Sequence, residues 1–158
     1  MVAADPRVTD RVFDQGQRRV VYVIDVDDRP GIMHAIAAVF SHRGLSMLAL
    51  VADTHRQQPR ILVVFEGSDR QCRLVEQVLA RLHDVQQIRT LPTSAPELRA
   101  FAICRLSAPL TAEFPGVEVR QDRNECQLWG GYDAIDAALS RLQQSGAIEA
   151  VSRSLVVL

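Results

Sequence analysis

The spacing of apolar residues between Arg19 and Leu91 changes in a fixed order, and this order constrains the fold more than any other feature of the sequence. Dense β-branched runs predict strands, whereas apolar residues three and four positions apart predict amphipathic helices. The resulting order is strand, helix, strand, strand, helix, strand. It is typical of a ferredoxin-like α+β unit, in which two helices pack on one face of an antiparallel sheet.

The two predicted helices have well-defined apolar faces and ends. The apolar face of the first helix comprises Ile32, Ile36, Val39 and Phe40. The apolar face of the second comprises Val75, Val78, Leu79 and Leu82. Gly44 is expected to end the first helix in a left-handed conformation. Residues 67–69, Gly-Ser-Asp, are expected to cap the second helix.

The second face of the predicted sheet also carries apolar residues. We assign to it Val21, Val23, Leu48, Leu50, Val63 and Phe65. An antiparallel sheet with helices on one side only normally has one polar face. We therefore expect something to cover this second face, and another copy of the chain is the simplest candidate.

The pattern half-repeats in the C-terminal part of the chain. The predicted elements there are a strand at 98–106, a hairpin of strands at 117–121 and 127–130, a helix at 132–145 and a strand at 148–158. The stretch between Leu106 and Val117 is short and contains Pro109 and Pro115, so it has room for a short helix or a loop only. The second unit is therefore predicted to be a trimmed ferredoxin-like domain.

The chain thus divides into four predicted segments. Residues 1–17 are polar and aperiodic and are expected to be a mobile tail. Residues 18–92 form the complete unit, residues 93–97 a linker, and residues 98–158 the trimmed unit.

Composition and charge limit the possible functions. The 158 residues have a formal net charge of −1, and no apolar run is long enough to cross a bilayer, so neither nucleic acid nor a membrane is an expected partner. Without a secretory signal pattern, a cytoplasmic location is expected. The three cysteines, Cys72, Cys104 and Cys126, are interpreted as small buried residues. No catalytic or metal-binding motif occurs, so we expect no catalytic residues, no metal and no cofactor.

Two stretches and the C-terminal half of the chain contain motifs that resemble known proteins. The run D-R-P-G-I at residues 28–32, between a strand and a helix, resembles the opening of ACT domains, which bind small molecules and often amino acids. The run F-S-H-R-G-L-S-M at residues 40–47 is similar to the F-S-Q-R-G-Y-N-I run of one family with such domains, the regulatory small subunits of acetohydroxyacid synthase (acetolactate synthase). Residues 97–100, 133–139 and 148–154 resemble parts of the family's second domain.

This resemblance implies a non-catalytic protein. It would form a homodimer through ACT domains that pair side by side, with a branched-chain amino acid (valine, leucine or isoleucine) bound at the interface. It would modulate the thiamine-diphosphate-dependent catalytic large subunit of branched-chain amino acid biosynthesis. The implied effector site comprises Asp28, Arg29, Pro30, Gly31 and Ile32 of one chain and Ser46 and Met47 of the other.

The chemistry of residues 28–32 suits such a ligand. Free N–H groups at a helix N-terminus attract a carboxylate, and Gly31 allows a ligand to approach the backbone. Pro30 stiffens the loop, and the Asp28 carboxylate can hold an ammonium group. The alternative is that Asp27 or Asp28 simply caps the helix. The family usually has asparagine at the positions of Asp28 and Ser46.

Two other functions remain open. A stand-alone ACT-type sensor without a catalytic partner is compatible with the trimmed second unit and with the two replaced asparagines. A small enzyme of ferredoxin-like fold would need a convergent polar cluster, which the sequence does not show.

Overall fold

The computed structural model describes residues 16–55 and 57–158. All but the last two residues of the predicted tail therefore lie outside the described residues. The chain divides into two compact units, and the division falls between Thr90 and Leu91. Each unit is described by itself.

The first unit has the predicted βαββαβ order. Its elements are β1 (Arg18–Val26), α1 (Ile32–Ser41), β2 (Met47–Asp53), β3 (Arg60–Gly67), α2 (Asp69–Leu79) and β4 (Val85–Pro92), whose last two residues lie past the division. The strands are ordered β2-β3-β1-β4. The strand β3 is antiparallel to both β1 and β2, so β2 is an edge strand. The ferredoxin-like prediction is confirmed.

The core of this unit lies between the sheet and its two helices. All four residues predicted for the apolar face of α1 are buried. Three aromatic rings meet at the centre: the centroids of Phe40 and Phe65 are 5.6 Å apart, and that of Tyr22 is 6.5 Å from each. The Tyr22 hydroxyl donates to the carbonyl oxygen of Cys72 at 2.9 Å, so its polar end is satisfied. Burial is the main reason that the pKa of Tyr22 is raised far above its usual value.

The second face of the sheet is apolar, but half of our assignment to it is wrong. Val63 and Phe65 lie opposite Tyr22 and Val20 in the neighbouring strand, and Leu50 lies opposite Val63, so all of these face the helices. The residues that face away from the helices are Val21, Val23, Leu62 and Val64. They are only 0–5% exposed. Their exposure therefore gives no reason for a second copy to cover this part of the face.

The helix ends agree with the predictions at two of three points. Ser68 caps α2, accepting from the Gln71 N–H at 3.3 Å, and the Gln71 side chain accepts from the Ser68 N–H at 2.9 Å. Gly44 follows α1 with φ +63°, the left-handed conformation that we expected. The start of α1 differs from the prediction and belongs to the candidate site.

The second unit is a four-stranded sheet with one helix. Its elements are β5 (Leu98–Leu106), β6 (Val117–Asp122), β7 (Glu125–Gly131), α3 (Tyr132–Gln144) and β8 (Ile148–Val157), in the sheet order β6-β7-β5-β8. A loop without helix connects β5 to β6, which confirms the trimmed ferredoxin-like prediction. Phe114 in this loop is buried, and the Arg141 guanidinium lies 5.1 Å from its ring centroid, so the loop is fixed against α3.

All three cysteines are free and buried, which confirms their interpretation as small core residues. Cys104 and Cys126 lie directly opposite each other in β5 and β7. Burial raises the pKa of Cys104 to about 12 and also raises the pKa of Cys126. Within residues 16–55 and 57–158, no cluster of metal-ligating side chains occurs and no helix is long and apolar enough to cross a membrane.

Candidate functional site

The loop formed by residues 28–32, the predicted effector loop, connects the end of β1 to the start of α1. The side chains of residues 28–30 are exposed, whereas Ile32 is buried in the core. Ile32 therefore anchors the loop and does not present its side chain to solvent. The first helical hydrogen bond runs from the Ala35 N–H to the Gly31 carbonyl at 2.9 Å. The N–H groups of Met33 and His34 precede that bond, so the helix provides no acceptor for them.

Gly31 is the N-cap of α1, and its φ is +97°. A Cβ at this position would have no atom within 4 Å, so glycine is needed for the backbone conformation and not to avoid a clash. No side chain caps this helix. The alternative in which Asp27 or Asp28 caps it is therefore excluded, because the helix starts several residues after both carboxylates.

The two neighbouring carboxylates have different surroundings. The Asp27 carboxylate accepts a hydrogen bond from the Gln86 side-chain amide at 2.9 Å. The Asp28 side chain is exposed, and among the described residues it has no hydrogen bond or ion pair. Of the two carboxylates, Asp28 is therefore the one without a partner among the described residues, and its predicted role as a ligand-binding group stays a prediction.

Ser46 and Met47 lie at the opposite end of the sheet from the effector loop. Met47 is aligned with Phe65 and through it with Val20, near the start of β1, whereas the loop follows the end of β1. From Val20 to the loop the strand extends at least about 17 Å, at roughly 3.3 Å per residue. The structure therefore does not bring the two parts of the predicted site together within one chain.

Two residues at the start of β4, Asp84 and Gln86, contact Asp27 directly before the effector loop, and Asp84 also lies near Arg29 within it. Neither residue was predicted from the sequence. The Asp27 N–H donates to the Asp84 carbonyl at 2.9 Å, and the Arg29 Nε atom lies 3.7 Å from an Asp84 carboxylate oxygen. Gln86 supplies the third contact, its hydrogen bond to Asp27. These residues are more than 50 positions apart in the chain, so no local spacing could have predicted the contacts.

Exposed apolar side chains lie on α1 and on the edge strand β2. The sequence of α1 contains no acidic residue, lysine or arginine, and its Met33 is 42% exposed. Leu48, at a bulge in β2, is 52% exposed. Leu48 therefore lies on the open strand edge of the sheet, whereas Met33 lies in the first turn of α1, next to the effector loop. Such an edge with apolar flanks is suited to pairing with another strand.

A family model of known proteins matches most of the first unit. Residues 23–87 match the family model of AHAS small subunit-like ACT domains, where AHAS denotes acetohydroxyacid synthase. A probable acetolactate synthase small subunit of Methanothermobacter thermautotrophicus is 25% identical over 138 residues, 78% of this chain and 82% of the relative. One from Archaeoglobus fulgidus is 26% identical over 137 residues, 78% and 86%.

A solved structure has the same fold. The crystal structure of the acetolactate synthase small subunit from Thermotoga maritima matches with a TM-score of 0.62 at 18% identity. The match covers 89% of this chain and 96% of that one. It confirms the α+β ferredoxin-like architecture across both units.

Proposed function

Because residues 23–87 match the family model of AHAS small subunit-like ACT domains, we propose that the chain is a non-catalytic regulatory subunit that binds an amino-acid effector and modulates a separate acetolactate synthase catalytic subunit. An ACT domain of this type suggests a regulatory role, and a small subunit implies a catalytic large-subunit partner. The observation that carries the proposal is the exposed loop within the matched residues. At the N-terminus of one helix, this loop combines backbone N–H groups, a glycine with open space beside it and the exposed carboxylate of Asp28.

The effector in this proposal is an amino acid with a branched aliphatic side chain: valine, leucine or isoleucine. Its carboxylate accepts hydrogen bonds from the Met33 and His34 N–H groups, where the helix dipole also favours negative charge. Its ammonium group donates to Asp28 in a charge-assisted hydrogen bond. Open space beside Gly31 lets the ligand approach the backbone. Asp28 in place of the family's asparagine adds a full negative charge next to the ammonium group.

A second copy of the chain completes the site. Suppose that β2 pairs antiparallel with β2 of another copy, along the open strand edge. Antiparallel pairing places the start of the partner's β2 beside the end of β2 in the first chain, which is the end of the sheet where the effector loop lies. Ser46 and Met47 of the partner then approach the loop that they cannot reach within their own chain. This geometry supports the assignment of the two halves of the site to different chains.

The proposed pairing predicts that Leu48→Glu weakens the dimer. A carboxylate at this edge would be repeated on both copies and would lose water on association, so we expect the dimer dissociation constant to rise about 100-fold or more. Size-exclusion chromatography with light scattering over a concentration series measures the effect. Leu74→Glu on α2 is the matched control, because Leu74 is 43% exposed but away from the edge. A Leu48→Glu protein that stays as dimeric as the control would contradict the pairing.

The effector proposal predicts a selective thermal shift that depends on Asp28. A branched-chain amino acid at about 100 times its dissociation constant should stabilise the wild-type protein by roughly 2.7 kcal/mol. The Asp28→Ala change should weaken binding by about 10- to 150-fold, since it removes a hydrogen bond between two charged groups. Calorimetric titration gives the affinities, with Asp133→Ala, an exposed aspartate in the first turn of α3, as the control. Unchanged affinity in Asp28→Ala would remove this residue from the site.

The stand-alone sensor is the second candidate, favoured by Asp28 and Ser46 at the family's asparagine positions. It shares the effector site and differs only in the partner. A sensor would bind its amino acid but would leave the activity of an acetolactate synthase catalytic subunit unchanged when mixed with it. A regulatory subunit would associate with that enzyme and change its activity.

A further inference from the structure

We propose that Gln86 and Asp84, at the start of β4, are positioning residues that hold the effector loop in its binding conformation. The proposal rests on the proposed function for the role of the loop, but the contacts themselves belong to the ligand-free chain. Neither residue would touch the effector. They would act through Asp27 and Arg29, which flank Asp28 on both sides.

The effector loop has few other constraints. Within it, the Arg29 N–H donates to the Asp27 carbonyl at 2.8 Å and the Ile32 N–H to the Arg29 carbonyl at 3.3 Å. Pro30 and Gly31 are exposed and make no side-chain hydrogen bonds. Packing fixes the loop only at its two ends, through the buried residues Val26 and Ile32.

The start of β4 supplies the missing constraints at three points. The Asp84 carbonyl accepts from the Asp27 N–H at 2.9 Å and fixes the backbone where the loop leaves β1. The Gln86 amide donates to the Asp27 carboxylate at 2.9 Å. One Asp84 carboxylate oxygen is buried without a hydrogen-bond partner among the described residues, and it lies 3.7 Å from Nε of Arg29. This oxygen attracts the guanidinium by charge.

These contacts also give the charged side chains of Asp27, Asp28 and Arg29 different roles. Gln86 occupies the Asp27 carboxylate and Asp84 attracts the Arg29 guanidinium, so Asp28 is left as the carboxylate that faces a ligand. Without the two residues, Arg29 could pair with Asp28 and Asp27 could compete for the ammonium group. The positioning contacts therefore affect both the order of the loop and the availability of its ligand-binding carboxylate.

The first test compares Gln86→Ala with Gln87→Ala, because the neighbouring glutamine is also exposed but its side chain makes no hydrogen bond to the described residues. In the ligand-free protein, hydrogen exchange of the hydrogen-bonded Arg29 and Ile32 amides in the loop should become several-fold faster in Gln86→Ala and stay at the wild-type rate in Gln87→Ala. The affinity for the effector amino acid should fall about three- to tenfold in Gln86→Ala only, the range expected for one hydrogen bond.

The second test asks for rescue by a compensating change. Gln86→Glu places a carboxylate against the Asp27 carboxylate and should release the loop at least as strongly as Gln86→Ala. Adding Asp27→Asn supplies an amide that can donate to the new carboxylate, so the double variant should recover loop protection and affinity to within about twofold of wild type. A purely structural loss at position 86 would not be rescued.

Each outcome decides the proposal. Faster loop exchange together with weaker binding in Gln86→Ala, and recovery in the double variant, supports it. Loop exchange at the wild-type rate in Gln86→Ala overturns it, and so does faster exchange with unchanged affinity. If the wild-type protein binds no amino acid, the proposed function fails, while the exchange rates and their rescue still show whether Gln86 fixes the loop.

Discussion

Replacing Phe40 with alanine is expected to destabilise the first unit by about 3–5 kcal/mol, the range for truncating a buried phenylalanine. Phe40 is 1% exposed, and its ring packs against Tyr22 and Phe65 at the centre of the core. The change leaves a cavity between α1 and the sheet that the close-packed core cannot fill. Because small domains are stable by only about 5–15 kcal/mol, the variant should lose a large fraction of its folding free energy.

Urea unfolding followed by circular dichroism measures the loss, and hydrogen exchange in β1 shows whether it occurs in this unit. Leu74→Ala is the matched control, since Leu74 lies on α2 of the same unit but is 43% exposed. We expect it to cost less than about 1 kcal/mol. A Phe40→Ala protein as stable as Leu74→Ala would mean that the aromatic cluster does not form the core of the unit.

The helical and strand elements could be predicted because their signals are local. The apolar face of α1 repeats with the helical period, and all of its predicted members are buried. The strand β5 covers residues 98–106, as its apolar run indicated. In both cases the spacing of apolar residues within one segment identifies the element. The residues that pack against that segment need not be known.

The sheet faces could not be predicted with the same reliability. The central residues of β1 (20–24) and of β3 (61–65) are all apolar, so the alternation that normally separates the two faces is absent there. The faces then depend on the register between strands, which places Val63 opposite Tyr22. A shift of one residue would exchange the faces. Our assignment of Val63 and Phe65 to the second face was wrong for this reason.

The candidate site was predicted in part. The motif at residues 28–32 gave the position of the loop, and the exposure of Asp28 agrees with the role expected for it. The capping prediction was wrong because an aspartate before a helix cannot be distinguished from a cap without the φ of Gly31. The contacts of Asp27 with Asp84 and Gln86 depend on the adjacency of β1 and β4. The effector assignment itself stays a prediction until a ligand is measured.

The Gly130→Ala change is expected to destabilise the second unit by about 3 kcal/mol, at the upper end of the usual cost of overpacking. Gly130 is buried in β7, and a Cβ there would lie 2.6 Å from the carbonyl oxygen of Gly116 and 3.4 Å from Cα of Val117. Both are backbone atoms at the start of β6, which pairs with β7. Neither can rotate away as a flexible side chain could, so the strands must move apart.

Gly131→Ala is the control next to it, because a Cβ at Gly131 would have no atom within 4 Å. Its φ of −61° is accessible to alanine, so a small gain from reduced unfolded-state entropy should roughly offset the weaker helix cap. Trp129 is the single tryptophan of the chain and lies in β7, so its fluorescence during urea unfolding reports on this unit. Equal midpoints for the two variants would contradict the close approach of β6 to β7 at Gly130. A loss of stability in Gly130→Ala but not in Gly131→Ala would show that the destabilisation comes from the close contact between Gly130 and the start of β6.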